Sequence, residues 1–201
     1  METTEPRLSR KFFDALCYAA ELHNNQVRKG GEIPYIGHLL SVAGLVLEAD
    51  GNETQAIAAL LHDSAEDQGG AAVLAEIETR FGPAVAAIVS ECSDTVETPK
   101  PPWRERKQHY IAHLASASDD AVLVSLADKL DNARALLRDV RGVGSTLWDR
   151  FSERDPQLHL RYYRSLFEVY ERRNHTWLVD ELRRVLHELG EQINAPSATS
   201  A

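Results

Sequence analysis

His62, Asp63, Glu66 and Asp67 fall within six consecutive positions, directly after the aliphatic run IAALL. Ionisable groups beside a core are unfavourable unless water, a partner or a metal takes them up. Two readings compete: the four residues cap a helix end in water, or they hold a metal and do chemistry. On a continuous helix, residues four apart share a face, so His62 aligns with Glu66 and Asp63 with Asp67. An imidazole beside a carboxylate is a partial ligand set for a divalent transition metal. Two further ligands are at hand. His38 opens an apolar helical stretch, and Asp128, with Asp131 and Asn132, interrupts the apolar pattern of VSLADKLDNARAL. Polar groups buried in such a stretch need partners; on a solvated face they need none. A set of His38, His62, Asp63 and Asp128, drawn from three helices, leaves positions open for water and a substrate oxygen, and a divalent cation there acidifies water. Glu66 and Asp67, one turn on, are placed to orient that water or accept its proton. His23 stays outside the ligand set. His109, His113, His159, His175 and His187 are read as surface residues, because no carboxylate pattern sets them apart.

The elements that must position these groups are read from periodicity and punctuation. Nearly the whole chain reads as helix, about eight to ten in all. RKFFDALCYAAELHNNQ carries Phe12, Phe13, Leu16, Ala20 and His23 at helical spacing, and the glycines and proline of RKGGEIPYIG end it in a loop. HLLSVAGLVLEAD is a second helix. Asn52 caps a third, predicted to run unbroken through ETQAIAALLHDSAE. Two helices follow on either side of the Gly82-Pro83 turn, and the proline-rich TVETPKPPW is a loop or sharp corner. Asp119 and Asp120 start a long helix in which Leu123, Leu126, Leu130, Ala133 and Leu137 line one face. RGVGSTLWDRFSERDP is predicted as a loop before two last helices.

The bulk numbers bound the classes. A chain of 201 residues, 43% apolar and 26% charged, fits one globular all-α domain, taken as 1–192, with a frayed small-residue tail over 193–201. A net charge of −9 disfavours a nucleic-acid coat, which needs a basic face. No apolar run is long enough to span a membrane, and the N-terminus lacks a signal-peptide pattern. Cys17 and Cys92 read as buried free thiols, so a reducing cytoplasm is expected.

Four motifs in order carry a resemblance. QVRKGGEIPYIGHLLSVAGLV, AALLHDSAED, FGPAVAAIVSECSD and LVSLADKLDNARAL resemble the HD-domain superfamily, and within it the hydrolase domain of the Rel/Spo alarmone enzymes and its small stand-alone relatives. Order and spacing agree over about residues 10 to 175. The resemblance implies a single HD-type helical bundle. It implies that His38, His62, Asp63 and Asp128 hold one Mn²⁺ and that Glu66 and Asp67 activate the attacking water. It places Arg28 and Lys29 at a guanine base and Asn132 at the nucleoside; the competing reading makes Arg28 and Lys29 two solvated loop charges. Lys100 falls where the family carries a phosphate-binding lysine, with Arg104 as its alternative in the cationic run PKPPWRERK. Trp148 and Tyr162 match aromatic positions near the family pocket, or else anchor a loop and fill the core. Leu39 stands where the family usually has proline after the first metal histidine. No synthetase or regulatory module is expected to follow.

The expected function is Mn²⁺-dependent removal of the 3′-pyrophosphate of guanosine tetra- or pentaphosphate, giving GDP or GTP. The partner is thus a small guanine nucleotide, a polyanion that requires a local positive field. Two alternatives stand beside it: the same chemistry on another nucleotide, such as the 2′-phosphate of NADPH, and a catalytically idle nucleotide- or toxin-binding protein.

Overall fold

The computed structural model describes residues 7–95 and 99–195. These form ten α-helices and one 3-10 turn, with a lone antiparallel bridge between Val27 and Pro34. The predicted all-α class is the observed one. In order the helices are α1 (Arg10–Leu22), α2 (Ile36–Glu48), α3 (Glu53–Leu61), α4 (Ser64–Gln68), α5 (Gly70–Phe81), α6 (Pro83–Cys92), α7 (Trp103–Leu114), α8 (Asp119–Val143), α9 (Pro156–Arg173) and α10 (Trp177–Asn194). The 3-10 turn, Gly144–Arg150, joins α8 to α9.

Helix α8 is the axis. Ser118 caps it by accepting from the Ala121 amide, and Asp119 and Asp120 lie in the first turn, where the helix dipole favours negative charge. Gly144, at φ +63°, ends it. At 25 residues it spans about 37 Å. It packs against α2, α3, α6, α9 and α10, so its buried set is wider than one stripe. Leu123, Leu126, Leu130, Ala133 and Leu137 are buried as predicted, and so are Ser125 and Asp128 on the same rod. Ser125 has partners: its hydroxyl lies 2.7 Å from Tyr110 Oη and 2.8 Å from Tyr170 Oη, tying α8 to α7 and α9.

Several expectations are corrected. The stretch predicted as one helix breaks at His62 and Asp63. Asn52 does cap α3, with a reciprocal bond from Gln55, but α3 ends at Leu61 and α4 begins at Ser64. Asp63, at φ −94° and ψ −4°, departs from helical values. Helical geometry also occupies much of the region predicted as a loop after residue 140, because α8 runs to Val143 and the 3-10 turn follows. Helix α10 continues through Asn194, past the boundary placed at 192, and residues 196–201 of the expected tail lie outside the described residues. Cys17 is exposed rather than buried; α1 turns Ala15, Tyr18 and Ala19 inward and leaves Phe13 outside. No described helix is long and apolar enough to cross a membrane.

The α1–α2 loop is held in a tight hairpin shape. The Arg28 amide donates to the Ile33 carbonyl and the Tyr35 amide to the Gln26 carbonyl, each at 2.9 Å. Gly30 sits at φ +76°, and a Cβ there would fall 2.0 Å from Arg150 Cδ. Gly30→Ala is therefore expected to lower stability by about 1–3 kcal/mol through backbone strain. It is also expected to raise KM for any ligand gripped by this loop. Thermal denaturation with steady-state kinetics checks both; an unchanged melting temperature counts against the steric argument.

Candidate metal centre and nucleotide cleft

His38 is the third residue of α2, His62 and Asp63 form the α3–α4 break, and Asp128 lies mid-way along α8. The break explains how neighbours in sequence reach one point. On an ideal helix His62 and Asp63 would diverge by about 100°; here His62 Nε2 lies 3.1 Å from Asp63 Oδ2. His38 Nε2 is 3.6 Å from the same oxygen and 3.3 Å from Asp128 Oδ1, which is 3.6 Å from His62 Nε2. Ligand atoms of His38, His62 and Asp128 all lie within 4.8 Å of one another.

Both imidazoles are fixed from behind. His62 Nδ1 donates to the Ala59 carbonyl at 2.8 Å, and His38 Nδ1 donates to Asp131 Oδ2 at 2.7 Å. The Nε2 lone pairs thus point inward, and both Nε2 atoms are buried without a hydrogen-bond partner. Two orphaned imidazole nitrogens facing two carboxylates fit a divalent cation. Electrostatics makes the same demand. Burial alone would lower the His38 pKa, but Asp128, Asp131 and Asp63 outweigh it and push it up to about 9. His62 is likewise drawn well above its ordinary value despite burial. Burial raises the Asp63 and Asp128 carboxyls, yet His62 and His38 beside Asp63, and Lys129 beside Asp128, hold both well below the usual range. The cluster asks for positive charge at its centre.

Above this floor opens a cleft of about 520 Å³. Six cationic side chains line it against six acidic ones, so it is far less negative than the chain as a whole. Glu66 and Asp67 stand at its edge on α4, both bridged by Lys100 Nζ at 2.9 and 3.3 Å. The Asp94 amide donates to the other Glu66 oxygen at 3.2 Å, and Gln26 Nε2 donates to Asp67 Oδ2 at 2.9 Å. Asp94 also gathers Arg106 and Lys107 into the cleft wall.

The structure brings most of the sequence-derived site residues together. Arg28, Lys29, Lys100, Asn132 and Tyr162 line the cleft with Asp63, Glu66, Asp67 and Asp128, and His38 and His62 sit beneath. Arg104 and Trp148 do not line it. Arg104 points outward, 3.4 Å from Glu153, and Trp148 is buried behind the wall against Phe151 and His159. His159 is a correction: read as a surface residue, it is 6% exposed and lines the cleft, ringed by Trp103, Trp148 and Phe151. Its Nε2 is 2.7 Å from the Glu153 carbonyl, and burial lowers its pKa. The other four histidines set aside with it are exposed as expected. His23 is buried too, outside the ligand set, bonded to Ser64 and Gln26 and stacked on Tyr35. Tyr35, which sequence reasoning passed over, donates to Asp63 Oδ2 at 2.5 Å. Its spacing of three residues before His38 was the available signal.

A helical bundle with two histidines and two aspartates converging from α2, the α3–α4 break and α8 defines a class, and the chain belongs to the HD-domain family, whose pattern matches residues 15–157. Within it, the chain is 40% identical over 132 residues to guanosine-3′,5′-bis(diphosphate) 3′-pyrophosphohydrolase MESH1 of Drosophila melanogaster, covering 64% of this chain and 70% of that one. The Xenopus tropicalis protein of the same name is 43% identical over 128 residues, with 62% and 69% covered. A solved structure of a metazoan orthologue of SpoT, described as hydrolysing ppGpp, superposes with a TM-score of 0.75 at 30% identity, covering 94% of this chain and 99% of that one.

Proposed function

We propose that this protein hydrolyses the 3′-pyrophosphate of guanosine tetra- or pentaphosphate, leaving GDP or GTP and pyrophosphate. The observation that carries it is the pair of orphaned Nε2 atoms beneath a cleft lined by six cationic and six acidic side chains, in a chain that matches named 3′-pyrophosphohydrolases over most of their length.

His38, His62, Asp63 and Asp128 hold the metal, and we assign Mn²⁺ to them; the two carboxylates are the ligand type that suits it, and the two imidazoles suit a divalent transition metal. When bound, a divalent cation supplies Lewis-acid stabilisation of phosphate charge and makes water more acidic. The chain's own residues do the rest. Glu66 and Asp67 orient the attacking water and take its proton. The water oxygen bonds to the phosphorus carried on the ribose 3′ oxygen; the old P–O bond breaks with its electron pair on that oxygen, which takes a proton from solvent water to leave as the 3′ hydroxyl, while the proton taken by the carboxylates returns to solvent. Lys100, Arg106 and Lys107 offset the charge of the pyrophosphate. Lys107 is held partly desolvated, which lowers its pKa, while Asp94 works to keep it charged. Arg28, Lys29 and Asn132 seat the nucleoside on the opposite side.

The test is to incubate the protein with guanosine tetraphosphate, with and without Mn²⁺, and resolve products by ion exchange. The expected result is metal-dependent GDP and pyrophosphate. With NADPH run in parallel, its consumption beside unchanged tetraphosphate would move the substrate and keep the site; no turnover of either by metal-loaded protein would sink the proposal.

A further inference from the structure

Asp131 is a polar residue of α8 that neither the metal set nor the water-activating pair absorbs. Its Oδ2 accepts from two sides at once: His38 Nδ1 at 2.7 Å and Arg28 Nη1 at 2.8 Å. Arg28 reaches on through Nη2 to Asn132 Oδ1 at 3.0 Å, and Asn132 donates to Asp128 Oδ1. The bonds close a ring that leaves the metal centre at His38, passes through Asp131, Arg28 and Asn132, and returns at Asp128. Arg28 is the one member of this ring that comes from the α1–α2 loop.

An ionised carboxylate can only accept, so Asp131 fixes the proton of His38 on Nδ1 and leaves the Nε2 lone pair facing inward. The same oxygen anchors the guanidinium that forms the nucleoside side of the cleft. We infer that Asp131 is a positioning residue for both halves of the site, making metal affinity and nucleotide affinity depend on one carboxylate. The nucleotide half rests on the function proposed above; the metal half stands without it.

Titration calorimetry with Mn²⁺, and separately with GDP on Mn²⁺-loaded protein, tests this on wild type, Asp131→Ala, Arg28→Ala and the double variant. Alanine keeps α8 helical, and melting curves confirm the fold. Asp131→Ala is expected to weaken Mn²⁺ binding by about 10–100-fold, the range for loss of a ligating histidine's outer partner. It is also expected to weaken GDP. Arg28→Ala is expected to weaken GDP while Mn²⁺ affinity stays within about twofold. The double variant should bind GDP no worse than Arg28→Ala, because Asp131 acts on the nucleotide through Arg28. Asp131→Glu, which keeps an ionised acceptor, should recover Mn²⁺ affinity relative to alanine; a role in packing alone gives no such rescue. Unchanged Mn²⁺ affinity in Asp131→Ala overturns the inference whatever GDP does, and additive GDP losses in the double variant overturn the coupling. Wild type that binds Mn²⁺ but not GDP sinks the guanine-nucleotide assignment instead, and the Mn²⁺ comparison still decides the role of Asp131.

Discussion

His62→Ala is expected to abolish hydrolysis of guanosine tetraphosphate, with kcat falling by on the order of 10³-fold or more, the upper scale for removing one group at a reacting centre. The reason lies in what surrounds the ring. His62 is 1% exposed, its Nδ1 is committed to the Ala59 carbonyl, and its Nε2 has no other partner. Among the described residues the cluster holds two imidazoles, so the variant keeps only that of His38, and the methyl of alanine leaves a void beside Asp63 and Asp128. Metal content should fall with activity. Because a ligand that binds only the folded state stabilises it, Mn²⁺ should raise the melting temperature of wild type and leave that of the variant unmoved. Elemental analysis and a thermal scan with and without Mn²⁺ read both effects. A variant that keeps its metal and its activity would remove His62 from the centre.

What the sequence disclosed, and what it hid, follows from the range of the physics involved. Asp128 was legible because a carboxylate inside a 3–4 apolar repeat is anomalous by itself; burial at 4% exposure then forces partners on it. Glu66 and Asp67 were legible as a local cluster. The ring of Asp131, Arg28 and Asn132 was not, since its bonds cross more than a hundred positions and no local pattern encodes them. The helix break at His62 and Asp63 left no glycine or proline to announce it, so propensity favoured one continuous helix. His159 escaped for a related reason. The rings that enclose it come from α7, the 3-10 turn and the segment that follows, and only tertiary packing turns an ordinary histidine into part of the cleft wall. For Trp148 the family resemblance implied a ligand contact beside a loop-anchoring alternative, and its side chain lies behind the cleft wall against His159.

Glu66→Gln separates proton transfer from metal binding, because Glu66 is held by Lys100 and the Asp94 amide, while His38 and His62 face Asp63 and Asp128. Glutamine keeps the size of the side chain and an oxygen to accept from the Asp94 amide, which now reaches Glu66 Oε2 at 3.2 Å. It loses the basicity. Expected is a fall in kcat of about 10²–10⁴-fold with Mn²⁺ affinity retained, whereas His62→Ala loses metal together with activity. One competing explanation must be separated from this. Glu66 also holds Lys100, at 2.9 Å, and so does Asp67, at 3.3 Å. If Glu66 served only to neutralise and place that lysine, Lys100→Ala would already cause the whole loss, and adding Glu66→Gln would change nothing more. If Glu66 takes the proton, the two act on different quantities. Lys100→Ala should then raise KM for the polyanion, Glu66→Gln should lower kcat, and the double variant should show both losses. Asp67→Asn completes the argument, since its carboxylate shares Lys100 but is also bonded to Gln26. A deep kcat loss in Asp67→Asn beside a mild one in Glu66→Gln would transfer the base to Asp67. Equal deep losses that do not add would mean that the two carboxylates act on one water as a unit.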